Sequence, residues 1–166
     1  MSWFQKIFGK EPLKSSKKIE RKQVNIAFSE FNYSPKILLA WIKALEGNKE
    51  FDLFFYENDL KEIYFLNQAL RLNQEAREWL MKNNFPHLLA FVNAAEGNES
   101  AQKWLKVHGF EFLHYASLAI DDDEVAFKWL NQHSDEIRFG LIKTMKKLKD
   151  QIEFNHNDMY SFRKDL

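Results

Sequence analysis

Large apolar residues recur along the chain in a fixed frame of 25 residues. The phrase Ala-x-x-Trp-Leu occupies 76–80, 101–105 and 126–130, and three phenylalanines fill the same frame one period earlier, at Phe51, Phe54 and Phe55. The apolar positions within each period are three or four residues apart, which is the spacing of one helix face. A regular period of this length is the signature of an array of repeated helical units.

A second helix in each unit is indicated by another set of aligned apolar positions. One of these positions is small in every copy, at Ala44, Ala69, Ala94 and Ala119. Asn or Asp recurs at 48, 73, 98 and 123, where its side chain can accept from the free N–H groups of the next helix. The pattern predicts helices that begin near 36, 49, 60, 74, 85, 99, 110, 124 and 135. Helices this short are stable only when neighbouring units hold them.

The segments on either side of the four repeats are predicted to cover the ends of the array. Residues 24–35 are apolar but off the pattern, and we expect them to form a helix over the first copy. A longer amphipathic helix is expected from Ser134 to about 153, with its lysines facing outward. Its inward residues are predicted to be Ile137, Leu141, Met145, Leu148 and Ile152. The pattern thus predicts an all-α repeat domain over 24–154, a solenoid or curled bundle of short antiparallel helix pairs, followed by a flexible tail at 155–166.

The first 23 residues differ from the rest of the chain in charge. They contain seven Lys or Arg against two Glu, which gives +5, and because the whole chain is neutral the remainder carries −5. A short amphipathic helix followed by a basic, flexible linker is typical of a peripheral membrane anchor, whose rings enter the headgroup region while its lysines attract anionic lipid. The residues that would contact the membrane are Trp3, Phe4, Lys6, Ile7, Phe8 and Lys10. The alternative is a frayed tail with no such role.

Composition and motifs argue against catalysis and against bound metal. The chain has no cysteine, which excludes a disulfide framework and fits a reducing compartment such as the cytoplasm. Its five histidines include no His-Glu-x-x-His motif, and Asp121–Asp123 lacks the glycine and distant glutamate of a calcium loop. We therefore predict no catalytic, cofactor or metal site. A site assembled across helices remains the third alternative.

The unit Ala126-Phe127-Lys128-Trp129-Leu130 resembles the repeat of uncharacterised bacterial short α-helical tandem-repeat proteins. The resemblance spans about residues 36–148. It implies a helical-repeat architecture and implies no activity.

The leading functional hypothesis is a non-enzymatic scaffold that binds another protein or peptide, since stacked repeats present an extended surface. Candidate contact residues are the large side chains that break the repeat, Tyr56, Tyr64, Phe65, His114 and Tyr115. Simple variation of the core is the competing interpretation of these residues. The repeated tryptophans are predicted to be core rather than ligand contacts. A membrane-tethered adaptor is the alternative function, and nucleic-acid binding is disfavoured because the array is acidic.

Overall fold

The structure, a computed structural model, describes residues 31–162 and is entirely helical between its turns. The helices are α1 (Pro35–Leu45), α2 (Lys49–Glu57), α3 (Lys61–Leu70), α4 (Gln74–Lys82), α5 (Pro86–Ala95), α6 (Glu99–Val107), α7 (Glu111–Ile120), α8 (Glu124–His133) and α9 (Glu136–Phe162). The nine helix starts predicted between 36 and 135 each lie within one residue of an observed start. The all-α fold class is therefore confirmed.

The turns that lead into α2, α4, α6 and α8 repeat the same two features. The recurring Asn or Asp caps the next helix: the Asn73 side chain accepts from the Ala76 N–H at 3.0 Å, and Asp123 accepts from the Ala126 N–H at 2.7 Å. The residue before each cap has a left-handed backbone, with φ of 101° at Gly47 and 67° at Leu72. Left-handed residues commonly end helices because they let the next N–H groups reach the last carbonyls.

The helices form a row that the last helix closes. Helices α1, α3, α5 and α7 lie side by side in that order. Each packs against the outer helices, from the set α2, α4, α6 and α8, that precede or follow it in the chain. Helix α9 packs against α7, against α3 and most extensively against α1. Because α9 contacts both the first and the last member of the row, the array is a curled bundle rather than an open solenoid.

Phe31 fills the centre of this bundle. Its side chain is 1% exposed, and its ring meets the edges of Trp41, Phe91 and Phe112 at centroid distances of 4.9, 5.6 and 5.8 Å. These three rings belong to α1, α5 and α7. Residues 31–34 form a turn, so the helix predicted over 24–35 is wrong for this part; residues 24–30 lie outside the described range. A left-handed φ of 54° at Phe31 interrupts helical geometry and directs the ring inward.

The leucine of the repeated phrase, more than its tryptophan, supplies the buried surface. Leu80, Leu105 and Leu130 are completely buried, whereas Trp79, Trp104 and Trp129 are partly exposed and pack against the edge of the core. Neighbouring rings stack on these indoles; His108 and His133, for example, lie 4.1 and 4.3 Å from Trp104 and Trp129. The prediction of core tryptophans therefore holds only in part, because the tryptophans form the outer layer of the packing.

Helix α9 is longer than predicted and ends at Phe162 instead of about 153. The residues from 154 to 162 include no Gly or Pro that would end a helix. The predicted flexible tail is thus helical as far as 162. Two lysines of α9, which were predicted to face outward, pair with acidic residues of another element. Lys146 bonds to Asp122 and Lys149 bonds to Asp121, so both attach α9 to the turn between α7 and α8.

Charged pairs connect consecutive units, and their polarity changes along the array. Asp52 pairs with Arg71, with 3.4 Å between carboxylate oxygen and guanidinium nitrogen. One repeat later, Arg77 takes the place of the aspartate and pairs with Glu96 in the place of the arginine. A displacement of the pairing by one repeat would bring like charges together, so the alternation favours one register.

Candidate functional site

A cleft lies between the C-terminal half of α9 and the C-terminal ends of α3, α5 and α7. Its volume is about 320 Å3. The apolar lining consists of Leu70, Leu72, Val92, Ala95, Ile120 and Ile152, and the polar lining consists of Glu96, Lys149, Glu153, His156 and Asn157. An apolar concavity with a few polar groups at its edge is the usual form of a binding site.

The floor of the cleft is made by one repeat position seen three times. Leu70, Ala95 and Ile120 are the last residues of α3, α5 and α7 and are 25 residues apart. Ala95 has a much smaller side chain than its two equivalents, so the floor is lowest at the central helix. Helix α9 forms the opposite wall, where Ile152 faces the floor. The cleft therefore depends on the repeat and on the length of the last helix together.

Charged groups at the rim are fixed by ion pairs. The Lys149 ammonium bonds to Asp121 at 2.9 Å and lies 3.5 Å from the Glu153 carboxylate. Burial opposes the charged form of Lys149, but Asp121 and Glu153 outweigh it and raise the lysine pKa above its usual value. Glu96 on the facing side pairs with Arg77. These pairs hold the walls of the cleft in place.

Three of the residues predicted to contact a partner come together in an aromatic cluster. The Tyr56 ring lies 5.1 Å from Tyr64 and 6.2 Å from Phe65, and Phe65 stacks on Trp79 at 4.0 Å. Tyr56 is 44% exposed, whereas Tyr64 and Phe65 are half-buried. Only the edge of this cluster is open to another molecule.

The other two predicted residues form a separate pair. His114 and Tyr115 have ring centroids 5.3 Å apart, and Tyr115 stacks on Trp129 at 4.1 Å. His114 Nδ1 lies 3.0 Å from the Gln102 carbonyl oxygen, which orients the imidazole. Neither group of aromatic residues lines the cleft, and their role in binding stays a prediction. The residues predicted to touch a membrane, Trp3 to Lys10, lie outside the described range.

Two buried ionisable groups stand apart from the cleft lining. Glu62 is 5% exposed and accepts from the Tyr33 hydroxyl at 3.2 Å; burial raises its pKa to about 7. His87 is 2% exposed and stacks on Phe110 at 5.2 Å; burial lowers its pKa to about 4. Residues 31–157 contain no group of three His, Asp or Glu side chains placed to hold a metal ion. We identify no catalytic arrangement in this part of the chain.

Comparisons with known proteins returned no match: no family model, no curated protein and no solved structure resembles the chain significantly. The resemblance to bacterial tandem-repeat proteins therefore stays a prediction. None of the helices within 31–162 is long and apolar enough to cross a lipid bilayer.

The residues of the cleft were not predicted from the sequence. Their alignment was visible, since Leu70, Ala95 and Ile120 share one place in the repeat, and Ile152 was expected to face inward. The sequence has no Gly or Pro between 154 and 162 that would end α9, but it gives no signal that this part of α9 overhangs the ends of three other helices. The one local sign of space at this position is that the third copy has alanine, Ala95, where the other copies have leucine or isoleucine.

Proposed function

We propose that this protein is a non-enzymatic helical-repeat scaffold that binds a segment of another protein in the cleft beneath α9. The observation that carries the proposal is the cleft itself, a concave apolar surface of about 320 Å3 that the described side chains line but do not fill. A cleft of this volume suits one or two large apolar side chains of a partner. Anchors of this kind supply most of the binding energy in many protein interfaces.

The framework around the cleft is suited to recognition rather than to chemistry. Its floor is built from helix ends held by capped turns, and its wall is a helix fastened by Lys146 and Lys149. A rigid surface of this kind loses little conformational entropy on binding. Because the contact area is small, we expect dissociation constants of roughly 1–100 μM for a single peptide segment.

The proposal can be tested with peptides selected from a random display library on the purified full-length chain. Ile152→Asp places a charge on the cleft wall, and Val125→Asp places the same charge on a side chain that is 73% exposed outside the cleft. We expect the selected peptides to be rich in large apolar residues. They should lose about tenfold or more in affinity on Ile152→Asp and keep their affinity on Val125→Asp. Selected peptides that bind both variants equally well would contradict the proposal.

A second proposed function concerns membrane tethering by residues 1–23. Its support is the combination of Trp3, Phe4, Ile7 and Phe8 with a net charge of +5 in the same 23 residues. Binding should increase with the fraction of anionic lipid and weaken with salt. Sedimentation with liposomes containing phosphatidylserine, using the full chain and a chain without residues 1–23, measures this directly. Undiminished binding by the shortened chain would refute the tether.

A further inference from the structure

The cleft lies within reach of the chain's own first residues, and we infer that the segment 1–9 docks in it through its apolar side chains and competes with a partner protein. This occupant, which rests on the proposed function, regulates access to the same site. A cavity of about 150 Å3 can hold a benzene ring, and the cleft measures about 320 Å3. The cleft therefore has room for about two large apolar side chains, which its occupant must present close together.

The N-terminal segment presents large apolar side chains in such an arrangement. Trp3, Phe4, Ile7 and Phe8 fall within six residues and are spaced so that a helix gathers them on one side. No other six-residue stretch of 1–30 contains four large apolar side chains. Side chains of this size gain most from transfer out of water. The segment is thus the part of 1–30 best suited to an apolar cleft.

The segment can reach the cleft because the described chain begins at the centre of the same bundle. The Phe31 ring lies 5.6 Å from the Phe91 ring in α5, and Ala95, further along α5, lines the cleft. From Phe91 to Ala95 the helix rises about 6 Å. Residues 9–30 separate the segment from Phe31, and a flexible chain of that length has ends about 25 Å apart. The linker is therefore comparable in length with the distance that it must span.

Attachment to the same chain gives the segment an advantage over a free partner. A flexible linker that matches the span holds two sites at an effective concentration of about 1 mM. With a dissociation constant of about 100 μM, the weak end of the range expected for one apolar peptide, the closed cleft outnumbers the open cleft about tenfold. A partner then binds the full chain about tenfold more weakly than its intrinsic affinity. In excess it still displaces the segment and saturates one site per chain.

Docking in the cleft and attachment to a membrane exclude each other, because both use the same four side chains. A membrane that takes up the segment leaves the cleft free, and a partner that fills the cleft releases the segment. Coupling between two binding equilibria is reciprocal, so the two effects are equal in size. Anionic membranes thus activate partner binding.

Two engineered thiols measure the docking directly, because the chain has no cysteine of its own. Gln5→Cys places one thiol on the segment, away from its predicted apolar side. The second thiol is Asn157→Cys at the cleft rim or Glu57→Cys at the end of α2, outside the cleft. Disulfide formation in a glutathione redox buffer gives the effective concentration of each pair. We expect the 5–157 pair to exceed the 5–57 pair about tenfold and Ile152→Asp to remove the difference. Equal values without Ile152→Asp would overturn the inference.

A matched pair of variants identifies the docking residues. Phe8→Asp changes the apolar side of the segment, and Phe28→Asp makes the same change close to Phe31. We expect Phe8→Asp to lower the effective concentration of the 5–157 pair about tenfold and Phe28→Asp to lower it less than about twofold. A loss from Phe28→Asp as large as that from Phe8→Asp would contradict docking by the segment 1–9.

Selected peptides and liposomes separate this inference from the proposed function. A display-selected peptide should bind the chain without residues 2–9 about tenfold more tightly than the full chain. Liposomes containing phosphatidylserine should raise its affinity for the full chain by a similar factor, and no gain would refute the coupling to the membrane. If the affinities for the two chains are equal and both depend on Ile152, the docked segment is wrong and the cleft remains a partner site. If the thiol pair depends on Ile152 and the selected peptides do not, the segment is the occupant and the proposed partner site is wrong.

Discussion

Replacing Phe31 by alanine should remove the central contact of the closed bundle. The ring is 1% exposed and meets three aromatic rings within 5.8 Å of its centroid. Truncation of a buried phenylalanine to alanine costs about 3–5 kcal/mol, since both transfer energy and packing are lost. Each edge-to-face contact accounts for about 0.5–1.5 kcal/mol beyond the buried area. We therefore expect a loss of about 4 kcal/mol in the free energy of unfolding.

Urea denaturation followed by tryptophan fluorescence and far-UV circular dichroism measures this loss. With a slope of about 2 kcal/mol per molar urea, a loss of 4 kcal/mol lowers the midpoint by about 2 M. Phe31→Leu keeps most of the apolar volume and should lose about half as much. Phe154→Ala is the matched control, because Phe154 is 67% exposed on α9 and its truncation should change stability by no more than about 0.5 kcal/mol. A loss below about 1 kcal/mol for Phe31→Ala would refute the role of Phe31 as the centre of the bundle.

Three further predictions concern single sites. Glu62 has a pKa raised to about 7 from 4.5, so its folded form holds a proton more tightly than its unfolded form; its contribution to stability is full below pH 4.5 and is lost as the pH rises through 7. The free energy of unfolding of Glu62→Gln should therefore rise, relative to that of the native chain, by up to about 3 kcal/mol between pH 5 and pH 8. Urea titrations of both proteins at the two pH values measure this. A difference between the proteins that does not change with pH would contradict the prediction. Arg77→Asp should destabilise the protein by about 2–4 kcal/mol because it leaves Glu96 facing a like charge. Adding Glu96→Arg copies the Asp52–Arg71 pair and should restore at least half of the lost stability. A double-mutant cycle without coupling would refute the pairing. Leu72→Gly should increase the free energy of unfolding by about 0.5–1 kcal/mol and raise the melting temperature. Leu72 has a φ of 67°, whereas the equivalent residues 47 and 97 are glycine, so the substitution relieves backbone strain. A lower melting temperature would show that the apolar contacts of Leu72 outweigh the strain.

The positions of the helices could be predicted because the signals for them are local. Caps such as Asn73 and Asp123, and the three- and four-residue spacing of apolar positions, lie within one or two turns of the helix they specify. The repeat then supplied several independent copies of each signal. Local signals that agree in four copies leave little freedom for the start of each helix.

Closure of the bundle could not be predicted, because it depends on contacts between distant residues. The Arg138 guanidinium bonds to the Asn32 side chain at 3.0 Å across 106 positions of sequence. Phe31 belongs to an apolar segment outside the repeat, and nothing in that segment predicts that the Phe31 ring reaches α5 and α7. The cleft is a consequence of closure, so it also lay beyond the local pattern.

The lysines of α9 also show that a local pattern does not predict contacts with distant charged residues. Their spacing indicates a polar helix face, and for Lys143 and Lys147 this is correct. Lys146 and Lys149 instead meet Asp122 and Asp121, which belong to a turn that precedes α8. A helical wheel separates polar from apolar faces, but it does not show which charged turn lies against the polar face.

The most direct test of binding in the cleft uses the absence of cysteine from the chain. A single cysteine introduced by Asn157→Cys at the rim carries a polarity-sensitive fluorophore, and Glu57→Cys carries the same fluorophore outside the cleft. A display-selected peptide should shift the emission of the rim label to shorter wavelength, with saturation at one peptide per chain, and should leave the other label unchanged. Equal shifts at both positions, or a saturating complex that moves neither label, would contradict a binding site beneath the last helix.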